Sequence, residues 1–437
     1  MTNIRTSVNP SKVRFVLDST APIQFKATKN SLGIVVDLPD SSAKQKQITV
    51  NDKVIKGAVL EANGRKASKL VINTAKNCEY KIFSLKNPHR LVIDVYRITI
   101  IKKKESIASG VDYTFMQDEF KGRQIQAHLL EISKDAPYDL VPFSCAGSYN
   151  GRGSLAKASL SRNMLAAINS SYFDNDGWVI GSTKYNDMFI SMDTTPRSTY
   201  AAHGKNRFIY KDVAYQGVVS LPGNKFAELK GMNRLRIVDD FVLYNEHFNT
   251  STKTNQWGVE AKIKNGKVVA VSTKGNMTIE PGTYVLSAHG TSKPLLAGLK
   301  VGDKVGLNES LTNQRANQMK IAVSGGPLLL ENGSINVRTA EEKIARDIAL
   351  GRSPRTALGL KRDGTLMLFV VDGRNENSAG MTLNELAEYM LKLGAYDALN
   401  FDGGGSSEMC IKGKVLNHPS DGKERRVSMG LGLVRSK

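Results

Sequence analysis

The sequence predicts an α+β chain, a mixed-sheet domain with flanking helices, preceded by a small all-β sandwich domain. Three observations carry that reading. Residues 12–96 hold short β-branched runs separated by turn signals, the spacing of a sandwich. Residues 365–401 read as strand, crossover helix and strand. At 437 residues and 41% hydrophobic content, the chain is long enough for two or three domains with real cores.

The strands expected in the first part are VRFVLD (13–18), LGIVVDL (32–38), KVIKGAVLEA (53–62), KLVINT (69–74) and RLVIDVY (90–96). Turns at Pro22, Asn51-Asp52 and Asn63-Gly64 divide them. Residues 1–100 are assigned to this domain, 101–111 (polar and basic) to a linker, and 112–437 to the second domain. Within the latter, 113–132 reads as a hairpin turning near Lys121-Gly122-Arg123. Ser154–Met164 reads as a short helix feeding strand 165–168 and then Asn169. A further hairpin turns at Asn265-Gly266, after Trp257 and Glu260. Ser324-Gly325-Gly326-Pro327 offers a glycine-lined wall, 341–350 a short helix, and Arg355-Thr356 leads into strand 357–360.

The densest signal lies at the end. Thr365–Val371 is an apolar strand ending at Asp372-Gly373-Arg374. Thr382 and Glu385 form a capping box for helix 382–393, whose Leu383, Leu386, Met390 and Leu393 share a face, and Gly394 suits its left-handed cap. Asp397–Phe401 then delivers Asp402-Gly403-Gly404-Gly405-Ser406-Ser407. A parallel pair of strands would put both Asp loops at one sheet edge, where open sheets usually bind ligands. Three glycines remove every Cβ, so backbone N–H groups can approach an anion closely. Asp372 and Asp402 are the candidate catalytic carboxylates. Arg355 is the phosphate candidate, because a planar guanidinium binds phosphate bidentately. Asn169, Thr356, Arg374, Gly403, Gly404, Ser406 and Ser407 are candidate substrate-binding positions. Glu260 joins them as a further carboxylate, although strand-face glutamates are usually solvated.

Composition narrows the alternatives. No run of about 18 apolar residues is present, so no membrane-spanning helix is expected. Cys78, Cys145 and Cys410 are odd in number and widely spaced, which reads as scattered thiols rather than a disulfide framework or zinc site. The six histidines lack metal-ligand spacing. Net charge is +20, and residues 1–105 hold 20 Lys+Arg against 8 Asp+Glu. That excess suits an acidic polymer or simply a solvated surface, and no nucleic-acid-binding motif accompanies it.

The stretch FVVDGRNENSAGMTLNELAEYMLKLGAYDALNFDGGGSSEM resembles the signature of the phosphodiester glycosidase family. AINSSYFD (167–174), TNQWGVEAKI (254–263), SGGPLLL (324–330), RTALGL (355–360) and NHPSDGKERRVSMGLGLV (417–434) are similar in order and spacing, so the likeness covers roughly 112–437. Ser170-Ser171 departs from the glycine more usual after that Asn. Val13-Arg14-Phe15 and residues 84–94 resemble the AMIN domain. These resemblances imply a hydrolase that cleaves a sugar-1-phosphodiester on a glycan or glycolipid. They also imply an anionic cell-wall polymer held by the N-terminal domain, and an extracytoplasmic location with a signal removed. No cofactor is required. Two alternatives stay open: a non-catalytic wall-binding protein, and a metal-assisted phosphodiesterase with Ca²⁺ held by Asp372, Asp402, carbonyls and water.

Overall fold

The computed structural model describes every residue except 1–2, 10–11, 31–32, 65, 77, 98–99, 149–150 and 437. It overturns the α+β expectation. Strand makes up 51% of the chain and helix 8%, so the fold is β-rich without a layer of flanking helices. The reason is length. Of the three helices expected, only Leu383–Lys392 reaches ten residues, while Leu155–Ser161 and Arg346–Leu350 are single short turns or two. Segments this short bury too little to form a helical layer.

By contacts the chain divides into residues 1–102 with 116–125, and 103–115 with 126–437. In the first unit, Asn3–Val8, Lys12–Ser19, His89–Tyr96 and Glu79–Leu85 make one antiparallel sheet. Lys26–Asn30, Gly33–Leu38, Ser68–Thr74, Ile55–Ala62 and Lys46–Thr49 make another. Phe15, Leu17, Ile34, Val36, Leu70, Ile72 and Ile93 share one core between them. Alternate burial along Lys12–Ser19 is the period-2 pattern that the sequence displays. Arg14 and Lys12 both engage buried Asp94.

The expected linker 101–111 is instead strand Ile101–Ala108 and the start of strand Val111–Phe120. The strands that carry the site are neighbours within an eight-stranded sheet, in the order Arg123–Ile132, Leu366–Val371, Arg355–Leu360, Asp397–Asn400, Leu328–Glu331. The predicted parallel pair is therefore not a pair. Leu366–Val371 and Asp397–Asn400 do run the same way, but Arg355–Leu360 is inserted between them, antiparallel to both, with Arg355 opposite Val371 and Ala357 opposite Asn400. The connecting helix keeps its capping box and buries Leu383, Leu386, Ala387, Tyr389 and Met390. It approaches the inserted strand over Gly359, where a Cβ would meet the Met390 methyl. A five-stranded sheet ordered Tyr138–Ser144, Met429–Arg435, Ala166–Asn169, Met409–Ile411 and Lys414–Val415 supplies the site's second wall.

Candidate functional site

The inserted strand strengthens the convergence. Its start, Arg355-Thr356, lies at the same sheet edge as the ends of its two neighbours, which lead into Asp372 and Asp402. The end of Ala166–Asn169 is joined to this edge by one side chain. Asn169 Oδ1 accepts from Thr356 Oγ1 at 2.7 Å and from the Glu408 N–H at 3.0 Å, and its Nδ2 donates to the Asp402 carbonyl at 2.7 Å. Asn169 and Thr356 are fully buried. The sequence offers both as substrate ligands; the structure uses their polar atoms to fasten three chain segments to one another.

Asp372 is completely buried. Its carboxylate accepts from the His418 backbone N–H at 3.1 Å, and His418 Nδ1 lies 3.2 Å away. Burial pushes the carboxyl up to about 6, against the pull of His418 and Asn417. The His418 ring is otherwise mostly exposed, so it covers the carboxylate from the solvent side. The Asp372 N–H and C=O are held by Gln126 and Ser378. His128, buried nearby and held neutral by a pKa lowered to about 4, is bonded to Tyr113.

Asp402 is half-buried, and burial likewise raises its carboxyl to about 6, opposed by Ser406, the Gly403 N–H and the Arg425 charge. The glycines after it form a single 3₁₀ turn, Gly404–Ser406. Each has its own reason to lack a side chain. Gly403 sits over the Pro354 carbonyl, Gly404 has φ +60° and faces the Arg374 guanidinium, and Gly405 lies under Arg425 and Asp421. Arg374 and Arg425 are exposed. Arg374 is anchored by Ser353 Oγ at 3.1 Å, and Arg425 by Asp421 at 2.7 Å. Ser407 Oγ is buried with no partner among the described residues.

Arg355 is placed differently from its sequence reading. It is buried, and its guanidinium donates to the carbonyls of Met381 (3.0 Å), Ile348 (3.0 Å) and Gly351 (2.5 Å). That geometry braces the rim loops beneath Gly403. Glu260 is not brought to the edge at all. It lies in the sheet of Phe241–Tyr244, Thr283–His289, Gly258–Lys264 and Lys267–Ser272, fully buried. Its carboxylate accepts from Thr252, Thr254 and Ser287 hydroxyls and from the Met277 N–H. We expect Glu260→Ala, which strands all four donors, to cost about 3 kcal/mol in chemical unfolding. kcat/KM of the folded fraction should be unchanged; a selective loss of kcat/KM at full stability would return Glu260 to the site.

Sequence reasoning overlooked several groups here. His418 and Asn417 open the segment NHPSDGKERRVSMGLGLV, and nothing in its spacing links them to Asp372. Tyr172 OH donates to the Gly326 carbonyl at 2.9 Å and accepts from Asn400 Nδ2 at 2.9 Å, which ties the Gly325-Gly326 wall to the edge. Glu408 is buried beside Glu424, and their mutual repulsion adds to burial in raising Glu408 to about 9. Among the described residues no group of three or more His, Cys, Asp or Glu is placed to hold a metal ion; a hard cation at Asp372 and Asp402 would draw its remaining ligands from carbonyls and water.

Two solved structures share the fold over 99% of this chain: a hypothetical protein from Synechocystis (TM-score 0.70, 20% identity, 79% of that chain) and a putative exported protein from Burkholderia pseudomallei (TM-score 0.63, 18% identity, 97% of that chain). The N-acetylglucosamine-1-phosphodiester alpha-N-acetylglucosaminidase of Bos taurus is 35% identical over 124 residues, 26% of this chain and 23% of its own length. The human protein of that name is 35% identical over 124 residues, covering 24% of its length. A prophage-derived uncharacterized protein of Bacillus subtilis is 41% identical over 90 residues, 21% of this chain and 14% of its own. The chain thus spans less than a quarter of the length of these relatives. The family model described as phosphodiester glycosidase matches residues 257–434, which hold Arg355, Asp372, the glycine turn and His418. Residues 257–434 are thus similar to the phosphodiester glycosidase family.

Proposed function

We propose that the chain hydrolyses a sugar-1-phosphodiester, such as an N-acetylglucosamine-1-phosphate diester, releasing the sugar and leaving the phosphate on the other alcohol. The observation that carries this is the pairing, at one sheet edge, of two carboxyls raised to about 6 with a glycine turn flanked by exposed guanidiniums. Hydrolysis at an anomeric carbon passes through an oxocarbenium-like state served by two carboxylates. Phosphate is a stable leaving anion, so charge stabilisation matters more than full protonation. Arg374 and Arg425 supply that stabilisation, since the N–H groups of Gly404, Ser406 and Ser407 are donated to the carbonyls of Pro354, Gly403 and Gly404. Asp402 lies on the side of Arg425 and serves the leaving phosphate. Asp372, beside His418, is left for the sugar side, as nucleophile or as base to water.

The test is turnover of a soluble N-acetylglucosamine-1-phosphate diester by the purified chain. One protonated and one ionised carboxyl are needed, so kcat/KM should peak near pH 6 and fall on both sides. No turnover across a panel of sugar-1-phosphodiesters would leave a binding protein and end the proposal.

Arg374→Ala should lower kcat/KM on the charged diester about tenfold to hundredfold, the worth of a charged hydrogen bond of roughly 1.5–3 kcal/mol. An uncharged aryl glycoside of the same sugar should be barely affected. Arg374→Lys should recover only part, because an ammonium lacks the fork. Equal losses on both substrates would remove Arg374 from phosphate binding.

We assign the basic N-terminal unit to an anionic wall polymer outside the cytoplasm, on its excess of Lys and Arg. Attachment of that kind weakens with added salt. Retention on isolated walls that survives high salt would count against it.

A further inference from the structure

We propose that a second face of the unit formed by residues 103–115 and 126–437, remote in role from the carboxylates, is an anchoring edge for an anionic lipid surface. Phe241–Tyr244 and Gly258–Lys264 flank Thr283–His289, both antiparallel to it, with Phe241 opposite Ala288 and Gly258 opposite His289. The loops that precede those two strands therefore sit side by side at one end of the sheet. They present Leu235 (48% exposed), Ile237 (63%), Val238 (70%) and Trp257 (65%). Single exposed apolar residues are ordinary, but four in two adjoining loops form a patch that needs an occupant.

The patch is held rigid from below. Arg236 Nη2 donates to both the carbonyl and the side chain of Asn255, at 2.9 and 2.8 Å, and its Nη1 donates to Ser287. Asn255 Oδ1 in turn accepts from the Trp257 N–H. Arg234 grips Asp240 with two nitrogens, and Asp240 also receives the Ile237 N–H. Thr254 accepts from the Asn276 N–H, which draws in the loop carrying Lys274. Buried Glu260 ties the loop's Thr252 and Thr254 to the Met277 N–H and to Ser287 of the central strand. Polar clamps under outward apolar side chains keep those side chains from folding back into the core.

The occupant is argued from charge and side-chain type. Exposed Lys253 and Lys274 flank the apolar tips, while the acidic groups here, Asp239 and Asp240, are engaged by the Thr291 N–H and by Arg234. Trp, Ile, Val and Leu at loop tips, framed by lysine, fit the boundary between acyl chains and anionic headgroups. The chain's +20 charge adds long-range attraction to the same surface.

The experiment uses the full chain and extruded phosphatidylcholine vesicles with and without phosphatidylglycerol. The sequence has two tryptophans, so Trp178→Phe leaves Trp257 as the reporter. Trp257 emission should shift to the blue and be quenched by brominated acyl chains on anionic vesicles only. The triple variant Trp257→Ser/Ile237→Ser/Val238→Ser should lower partitioning at least tenfold, and Lys253→Glu/Lys274→Glu should erase the preference for anionic lipid, with circular dichroism and Tm unchanged in both. Unshifted Trp257 emission, or wild-type partitioning by the triple variant, would overturn the proposal and leave any vesicle binding to the N-terminal unit. Self-association abolished by the triple variant, without vesicle binding, would also overturn it and give the patch to a second copy of the chain. If the triple variant fails to fold, the Trp257 spectrum in the native loop still decides.

Discussion

Asp402→Asn is expected to lower kcat/KM on a sugar-1-phosphodiester by about two to four orders of magnitude, the range for removing an acid–base group from its reaction. The same change should raise stability at neutral pH. Folding lifts this carboxyl from its ordinary value to about 6, chiefly through burial. A folded pKa above the unfolded one means that the native state binds the proton more tightly, so its contribution is fully present below about pH 4 and is lost as pH rises through 6. At roughly 1.4 kcal/mol per pKa unit, the ionised form costs at most about 2–3 kcal/mol, trimmed because the side chain keeps some solvent. Asparagine has the same shape and carries no charge to desolvate. Tm of wild type and variant should therefore coincide near pH 4 and separate between pH 4 and 6, with the variant higher. Retained turnover would exclude Asp402 from the chemistry. A Tm difference independent of pH would show that ionisation is not what burial opposes.

Much of this edge was legible because its chemistry is local in sequence. Val371-Asp372 and Phe401-Asp402 each end an apolar run, and the capped helix between them reads directly from Thr382, Glu385 and Gly394. Two strands running the same way must then end together, whatever lies between them. What lies between was not legible: the Arg355 strand precedes both in the chain, and strand insertion leaves no periodicity. In the N-terminal unit, Asn3–Val8, Lys26–Asn30, Lys46–Thr49 and Glu79–Leu85 escaped sequence reading, and these four are the edges of the two sheets. Edge strands keep much of their surface in water and are rich in Lys, Asn and Thr, so the alternation that marks interior strands is absent. Side-chain roles were the least legible. Arg355 and Asn169 have the right types for phosphate and sugar, but type does not reveal that backbone carbonyls and neighbouring strands already consume their donors. His418 was invisible for the opposite reason: it reaches Asp372 from 46 residues away.

The Asn169 assignment leads to the second large effect, on stability. Asn169→Ala removes an acceptor from Thr356 Oγ1 and the Glu408 N–H, both on buried residues, and a donor from the Asp402 carbonyl. A buried group left without a partner costs about 1–3 kcal/mol, so three stranded groups should cost about 3–6 kcal/mol of unfolding free energy. That is a large share of what a domain has. Asn169→Asp should be no milder, because it sets a carboxylate against the Asp402 carbonyl and desolvates a charge. Turnover should fall as well, through kcat more than KM, since the Asp402 backbone loses its tie to the Ala166–Asn169 strand while no substrate contact is removed. Urea unfolding and steady-state kinetics on the same preparations separate the two roles that an asparagine at this position could have. A sugar ligand would give a raised KM at native stability; a strand clamp gives a lowered urea midpoint and a lowered kcat, and it is the clamp that the three bonds of 2.7, 3.0 and 2.7 Å describe.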